Sequence, residues 1–293
     1  GNLVCPTLLW LMRARGGDAA QARLPHTNES IQAGVFLSYD GIYGPIAEWD
    51  VADVTRMSRL FKNRYDFNGD VSRWDVSNVE YMGEMFYNAT RFNGDLSRWE
   101  VSKVDIMSYM FYGATVFNGD LSRWDVSGVG SMEGMFRGAT QFNGDLSRWD
   151  VSNVSNMRDM FAGAERFTSD LSRWNVSQVD SMASMFCNAG RFNSDLSHWN
   201  VSEVRDMNQM FWNASWFNSD LSHWDIAMVI NRNLMFTGAT NYQPQSELGS
   251  IDEDLPTLPS VWRQPVELFY RSRFTPHGTP LPPLPPLPPL PAL

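Results

Sequence analysis

Hydrophobic and polar positions in this chain recur on one fixed beat. Tryptophan marks it at Trp49, Trp74, Trp99, Trp124, Trp149, Trp174, Trp199 and Trp224, with no insertion between copies. Phenylalanine keeps the same beat at Phe67, Phe92, Phe117, Phe142, Phe167, Phe192 and Phe217, opened by Ile42 and closed by Tyr242. Such self-similarity predicts a repeat protein, with the array running over 42–241. In the copy at 92–116 the columns that keep their identity are Phe92, Asp95, Leu96, Trp99, Val101, Val104, Met107, Met110, Phe111 and Ala114. Nearly all are apolar, as expected of positions that a shared packing geometry dictates.

From Val104 the spacing Val104, Met107, Met110/Phe111 matches the stripe of a short helix with one buried face. Ser102 stands where an N-cap belongs, and Ser77 with Glu80 reads as a capping box in the preceding copy. The column Asn63, Asn88, Gly113, Gly138, Gly163, Asn188, Asn213, Gly238 holds only residues that tolerate positive φ, which predicts a helix stop after two to three turns. Asn93-Gly94 marks a turn, and a short strand is expected around 99–101. One such unit cannot bury its own tryptophan, phenylalanines and methionines, but stacked units bury them against each other. The expected fold is therefore an α/β repeat solenoid of about eight strand-turn-helix coils, leucine-rich-repeat-like, with non-repeat arms. Tryptophan and phenylalanine are expected to form internal ladders, with methionine filling the less regular gaps. The expected divisions are an N-terminal arm and cap over 1–41, the repeats over 42–241, an irregular extension over 242–275 and a polyproline II tail over 276–293.

The pattern FNxDLSxWDVSxVxxMxxMFxxA resembles the BspA-type, mycoplasma-lipoprotein-type family of 25-residue repeats, grouped loosely with leucine-rich repeats. The resemblance covers eight units, about two thirds of the chain. It implies an α/β solenoid found on bacterial surfaces and in algae and other protists, linked to adhesion or protein binding, and it brings no enzyme motif. A bacterial member would start at a lipidated cysteine in a Leu-x-x-Cys box, whereas Cys5 here lies in Leu3-Val-Cys5-Pro6.

A formal charge of −10 argues against a nucleic-acid partner, because phosphate binding needs clustered Lys and Arg. With 43% hydrophobic residues the chain has enough apolar surface to bury a core, yet no apolar run approaches the ~20 residues that cross a bilayer. The chain opens at Gly1 rather than Met, and "LVCPTLLWLMRARGG" reads as the remnant of a targeting segment or as an apolar arm docked on something. Only Cys5 and Cys187 occur, so no disulfide framework or CxxC site is available. Sequons at Asn28, Asn88, Asn153, Asn175, Asn200 and Asn213 fall mostly at equivalent places in the repeat, as by-products of its consensus or as glycosylation sites.

The column Asp70, Asp95, Asp120, Asp145, Asp170, Asp195, Asp220 has two readings. Each aspartate caps its own turn, balanced by the basic column three positions on, or the stacked carboxylates bind calcium. Capping is the expectation. His198 and His223 share a column on adjacent coils but lack a third ligand for a metal. No metal, cofactor or catalytic residue is assigned, since a regular array spreads similar groups along a wall instead of converging unlike ones.

Two columns vary strongly: Lys62, Tyr87, Tyr112, Arg137, Ala162, Cys187, Trp212, and Asp66, Arg91, Val116, Gln141, Arg166, Arg191, Trp216. Exposed aromatics are enriched at protein interfaces, which makes Tyr87, Tyr112, Trp212 and Trp216 candidate interface residues. In the closing "TPLPPLPPLPPLPAL", Leu281, Leu284, Leu287, Leu290 and Leu293 recur every third residue, along one edge of a polyproline II rod. The first four join the candidate interface. The expected function is a non-enzymatic interaction scaffold, an accessory subunit of a larger assembly that meets other subunits through the helix-side columns and both arms. A cell-surface adhesin is the alternative. No nucleic acid, cofactor or membrane span is expected, although peripheral association with a membrane complex is compatible with this reading. The compartment stays open, with an organelle (chloroplast or mitochondrion) ahead of the cell surface.

Overall fold

A chain whose apolar positions fall three apart can close on itself by helix or by a succession of β-turns, because both bring residues i and i+3 near each other. The computed structural model describes residues 27, 28, 31, 32, 35 and 45–243, all within the first of two units, Gly1–Asp252 and Glu253–Leu293. It takes the second route. In the copy at 92–116 and the phenylalanine that follows it, the backbone N–H groups of Trp99, Val104, Met110, Tyr112, Ala114 and Phe117 donate to the carbonyls of Leu96, Val101, Met107, Tyr109, Phe111 and Ala114, each three positions back. All of these residues are buried except Tyr109 and Tyr112, which lie half-buried on the outside.

The expected α/β, leucine-rich-repeat-like solenoid is thus overturned. Among the described residues the coils hold no α-helix and a single 3₁₀ turn, Ile46–Glu48, and they pair through single-residue parallel bridges instead of strands. Those bridges link Arg56, Tyr81, Ile106, Ser131, Asn156, Ser181, Asp206 and Asn231 in one line, the same position in every coil. Ser77, expected to cap a helix, instead bonds back to Asp75 through its N–H and hydroxyl. The glycine/asparagine column does take positive φ, 64° at Gly113 and 55° at Asn88, but it ends no helix.

A second reason excludes the helix. The N–H groups of Met107, Tyr109, Phe111 and Gly113 leave their own coil and donate to Ser131, Glu133, Met135 and Arg137 of the next. A helix would need them to reach four positions back. Alternate peptide planes therefore lie along the stack and the others close turns within the coil. That alternation requires left-handed residues, found at Arg59, Glu84, Tyr109, Gly134, Asp159, Ser184, Gln209 and Leu234 as well as in the glycine/asparagine column. Side chains that are not glycine meet about 1–2 kcal/mol of opposition there, offset by the inter-coil bonds.

The interior is a set of ladders. Phe111 packs on Phe117 at 4.0 Å and on Phe86 and Phe136 of its neighbouring coils at 5.6 and 5.7 Å. Each indole N–H from Trp74 onward reaches a carbonyl of the preceding coil, as Trp99 does to Val71 at 3.0 Å, so the buried polar edge is satisfied. Methionines fill the remaining space, two in each coil from Met82 and Met85 to Met207 and Met210, with Met107 and Met110 fully buried. At the amino-terminal end Asn28, Ile31, Gln32 and Val35 are helical, and Ile31 and Val35 are buried in the core. The Asn28 Oδ1 accepts from the N–H groups of Thr55 and Arg56, substituting for the carbonyl of a preceding coil.

Candidate functional site

Outward positions divide each coil into a constant half and a variable half. On the constant half each aspartate of the Asp70 column accepts the N–H of the serine two positions on, at 2.9–3.0 Å, so these carboxylates cap their own turns. That serine, through its backbone N–H and its hydroxyl, holds Asp95, Asp170 and Asp195 below the usual carboxylate range. Asparagines of the same half reach along the stack, the Asn93 Oδ1 accepting from Asn118 N–H. Sequon amides are engaged too: the Nδ2 groups of Asn28, Asn88, Asn153 and Asn213 each donate to a neighbouring coil.

The variable half lies over the axial peptides, and its side chains change from coil to coil. Lys62, Tyr87, Tyr112 and Arg137 occupy one column of four adjacent coils. The two phenol rings stack at 4.3 Å and 4°. Lys62 lies over Tyr87 at 4.6 Å and Arg137 over Tyr112 at 5.7 Å, giving a cation–ring–ring–cation ladder. Acids pin both ends. Glu84 bonds Lys62 and Arg59, and Asp159 bonds Arg137 at 2.7 Å. Tyr109 packs edge-on against Tyr112 and donates its hydroxyl to Glu133. The column then drops to Ala162 and Cys187, both buried, before rising again at Trp212.

Burial opposes the charge on Glu84, but bonds from Lys62 and Arg59 outweigh it and keep its carboxyl below the ordinary range. At Asp159 burial wins despite Arg137 and Arg158, and its pKa is raised. Burial also pushes the Tyr87 phenol up to about 12 and, with Asp159 adding, the Cys187 thiol up to about 12. At neutral pH the thiol is protonated and a poor nucleophile.

Of the expected interface residues, Tyr87 and Tyr112 come together but lie half-buried, because each covers the other. Trp212 sits beyond the two-coil gap, and Trp216 is 57% exposed. Leu281, Leu284, Leu287 and Leu290 lie outside the described residues. The columns expected on helices lie on turns, since the described coils contain none. Lys62 and Arg137 stood in the same column as the tyrosines, and a pair of aromatics bracketed by cations was the overlooked signal. Asp159 had no sequence signal: it meets Arg137 of the preceding coil because a left-handed residue leans that way, as Glu84 does toward Lys62.

Residues 32–149 and 130–248 each match the family described as Mycoplasma protein of unknown function, DUF285. The chain belongs to that family. It is a tandem repeat protein, a form compatible with an interaction role. No curated protein and no solved structure matches it. Among the described residues no helix is long and apolar enough to cross a membrane.

Proposed function

We propose that this DUF285 protein is a non-enzymatic protein-interaction scaffold, an accessory subunit of a larger assembly, and that the variable half of its coils is the binding face. One observation carries the reading: outward residues are held nearly constant on one half of the coils and vary along the stack on the other. A partner laid along the stack would read a varied row of side chains at a spacing of ~4.8 Å. The half-buried tyrosines, the cations over their faces and the Trp212 wall are residue types that dominate protein interfaces. A BspA-type surface adhesin is the second reading, suggested by the repeat pattern and the sequons; a secretory or lipoprotein leader encoded upstream would support it, an organelle transit peptide the first.

The test is purification from the native source with identification of stably bound subunits, repeated with variants. Tyr112→Ala with Trp212→Ala is expected to weaken the co-purifying subunit more than about tenfold, each truncation removing an anchor of roughly 1–2 kcal/mol. Arg98→Ala with Arg123→Ala, on the constant half, is expected to leave it bound. Recovery of a lone monomer under gentle conditions, or equal effects of the two pairs, would overturn the proposal.

A further inference from the structure

Four columns of axial hydrogen bonds, seven bonds each, point the same way, while a fifth, from Glu80 N–H to Thr55 O up to Ile230 N–H to Arg205 O, points the other way. One of the four runs from Met57 N–H to Tyr81 O and on, coil by coil, to Met207 N–H and Asn231 O. The other three begin at Arg59, Phe61 and Asn63 and end on the carbonyls of Asn233, Met235 and Thr237. Within each column the peptide dipoles add, as they do in an α-helix, where the sum reaches about half an elementary charge at each end. Here four such ends lie side by side.

The two ends are treated differently. At the carbonyl end Gln32 donates to Ser58 O, and the first coil carries Arg56, Arg59, Lys62 and Arg64, cations that suit the negative pole. At the other end the N–H groups of Arg232, Leu234, Phe236 and Gly238 have no acceptor among the described residues. Residues 226–243 include no aspartate or glutamate, and Arg232 adds positive charge. Apolar surface lies open beside the row: Ile230 is 85% and Met228 49% exposed, and Ile226, Val229 and Phe236 are only partly buried.

An ordinary β-strand cannot satisfy the row from Arg232 to Gly238, because its own edge alternates donors with acceptors while these four N–H groups are donors alone, with the Ile230 carbonyl beside them as the acceptor that ends the fifth column. Carboxylates accept without donating. We infer that the carboxyl-terminal edge of the coil stack is a docking site for an acidic, extended segment of a partner protein. Its carboxylates accept from the four N–H groups, and its apolar side chains cover Ile226, Val229 and Phe236. This edge is separate from the variable face, so failure at either site leaves the other standing.

Residue-resolved amide exchange on the full chain tests the inference, with an acetylated peptide of about ten alternating Asp and Leu residues as probe and a Lys–Leu peptide of equal length as control. The amides of residues 232, 234, 236 and 238 are expected to exchange fast in the free chain and to slow more than about tenfold with the acidic peptide. Those of Met207, Gln209, Phe211 and Asn213, already bonded to the last coil, should not change. Arg232→Glu should weaken the peptide by about tenfold, with the core ladders intact by tryptophan fluorescence. Absence of slowing, or equal slowing by the Lys–Leu peptide, overturns the inference. So does slow exchange without any peptide: independent of concentration it means that the chain covers its own edge, and growing with concentration it means that a second copy does.

Discussion

Asn28 is a single side chain standing in for a whole coil. Its Oδ1 accepts the N–H groups of Thr55 and Arg56, the first of which every later coil satisfies with a carbonyl of the coil before, as Glu80 does at Thr55. Asn28→Ala leaves both donors without that acceptor and is expected to lower stability by about 1–2 kcal/mol in denaturant titration. Charged residues give two opposite pH responses. The Asp70-column carboxylates have lowered pKa values in the folded state, so the stability they contribute is complete above the unfolded value of about 3.9 and is lost as pH falls through the folded values. Replacing Asp120, Asp145 and Asp170 together by Asn keeps an acceptor oxygen and should flatten the acid limb of a stability–pH curve. Asp159 is raised instead, so its contribution falls as pH rises from the unfolded value toward the folded one. Arg137→Met removes its counter-charge and should cost roughly 1–3 kcal/mol at pH 7, less than a fully buried pair because 30% of the Arg137 side chain is exposed. Part of that loss should return as the pH is lowered and Asp159 takes a proton.

At the scale of the element, a turn-built coil and a helical one make contrary demands on the Gln209 column. Gln209 has φ 55°, and no side-chain hydrogen bond of its own is seen among the described residues. In a helix interior Gln209→Gly would cost about 1 kcal/mol; at a left-handed position it relieves strain and should be neutral or stabilising. Gln209→Val should lose about 1–2 kcal/mol, since a β-branched side chain resists positive φ. Chemical denaturation of the three proteins ranks them, and a destabilised glycine variant would return the segment to the helix. The same geometry explains how much of the site could be read in advance. Tyr87 and Tyr112 were visible as a shared column, but their mutual burial and the Asp159–Arg137 pair follow from the way left-handed residues lean, which no spacing of residue types encodes.

For the whole molecule, near-identical coils that pair position for position imply that length is adjustable only in whole units. Deleting 167–191 should leave a cooperative, soluble protein one coil shorter, with Phe161 and Phe192 meeting where Phe161 and Phe167 now pack at 4.0 Å. Deleting only the first half of that coil, 167–178, puts polar residues on every ladder downstream and should abolish the cooperative thermal transition. Comparable melting of the two deletions would contradict the register described by the bridges and axial bonds.

What the sequence by itself determined is the period, the buried set and the aspartate caps of the constant half. Each step repeats the same local chemistry, and an aspartate two positions before a serine needs no distant partner to close its turn. What only the tertiary structure decided is the kind of element between the turns. Apolar residues three apart serve a helix and a chain of β-turns equally well. The choice fell to alternate N–H groups that find their acceptors on the next coil, as Met107 does at Ser131, and no local pattern records where that coil lies. Stabilised by those long-range bonds, left-handed conformations become accessible to Glu84, Tyr109 and Asp159, residues whose identities alone would place them elsewhere.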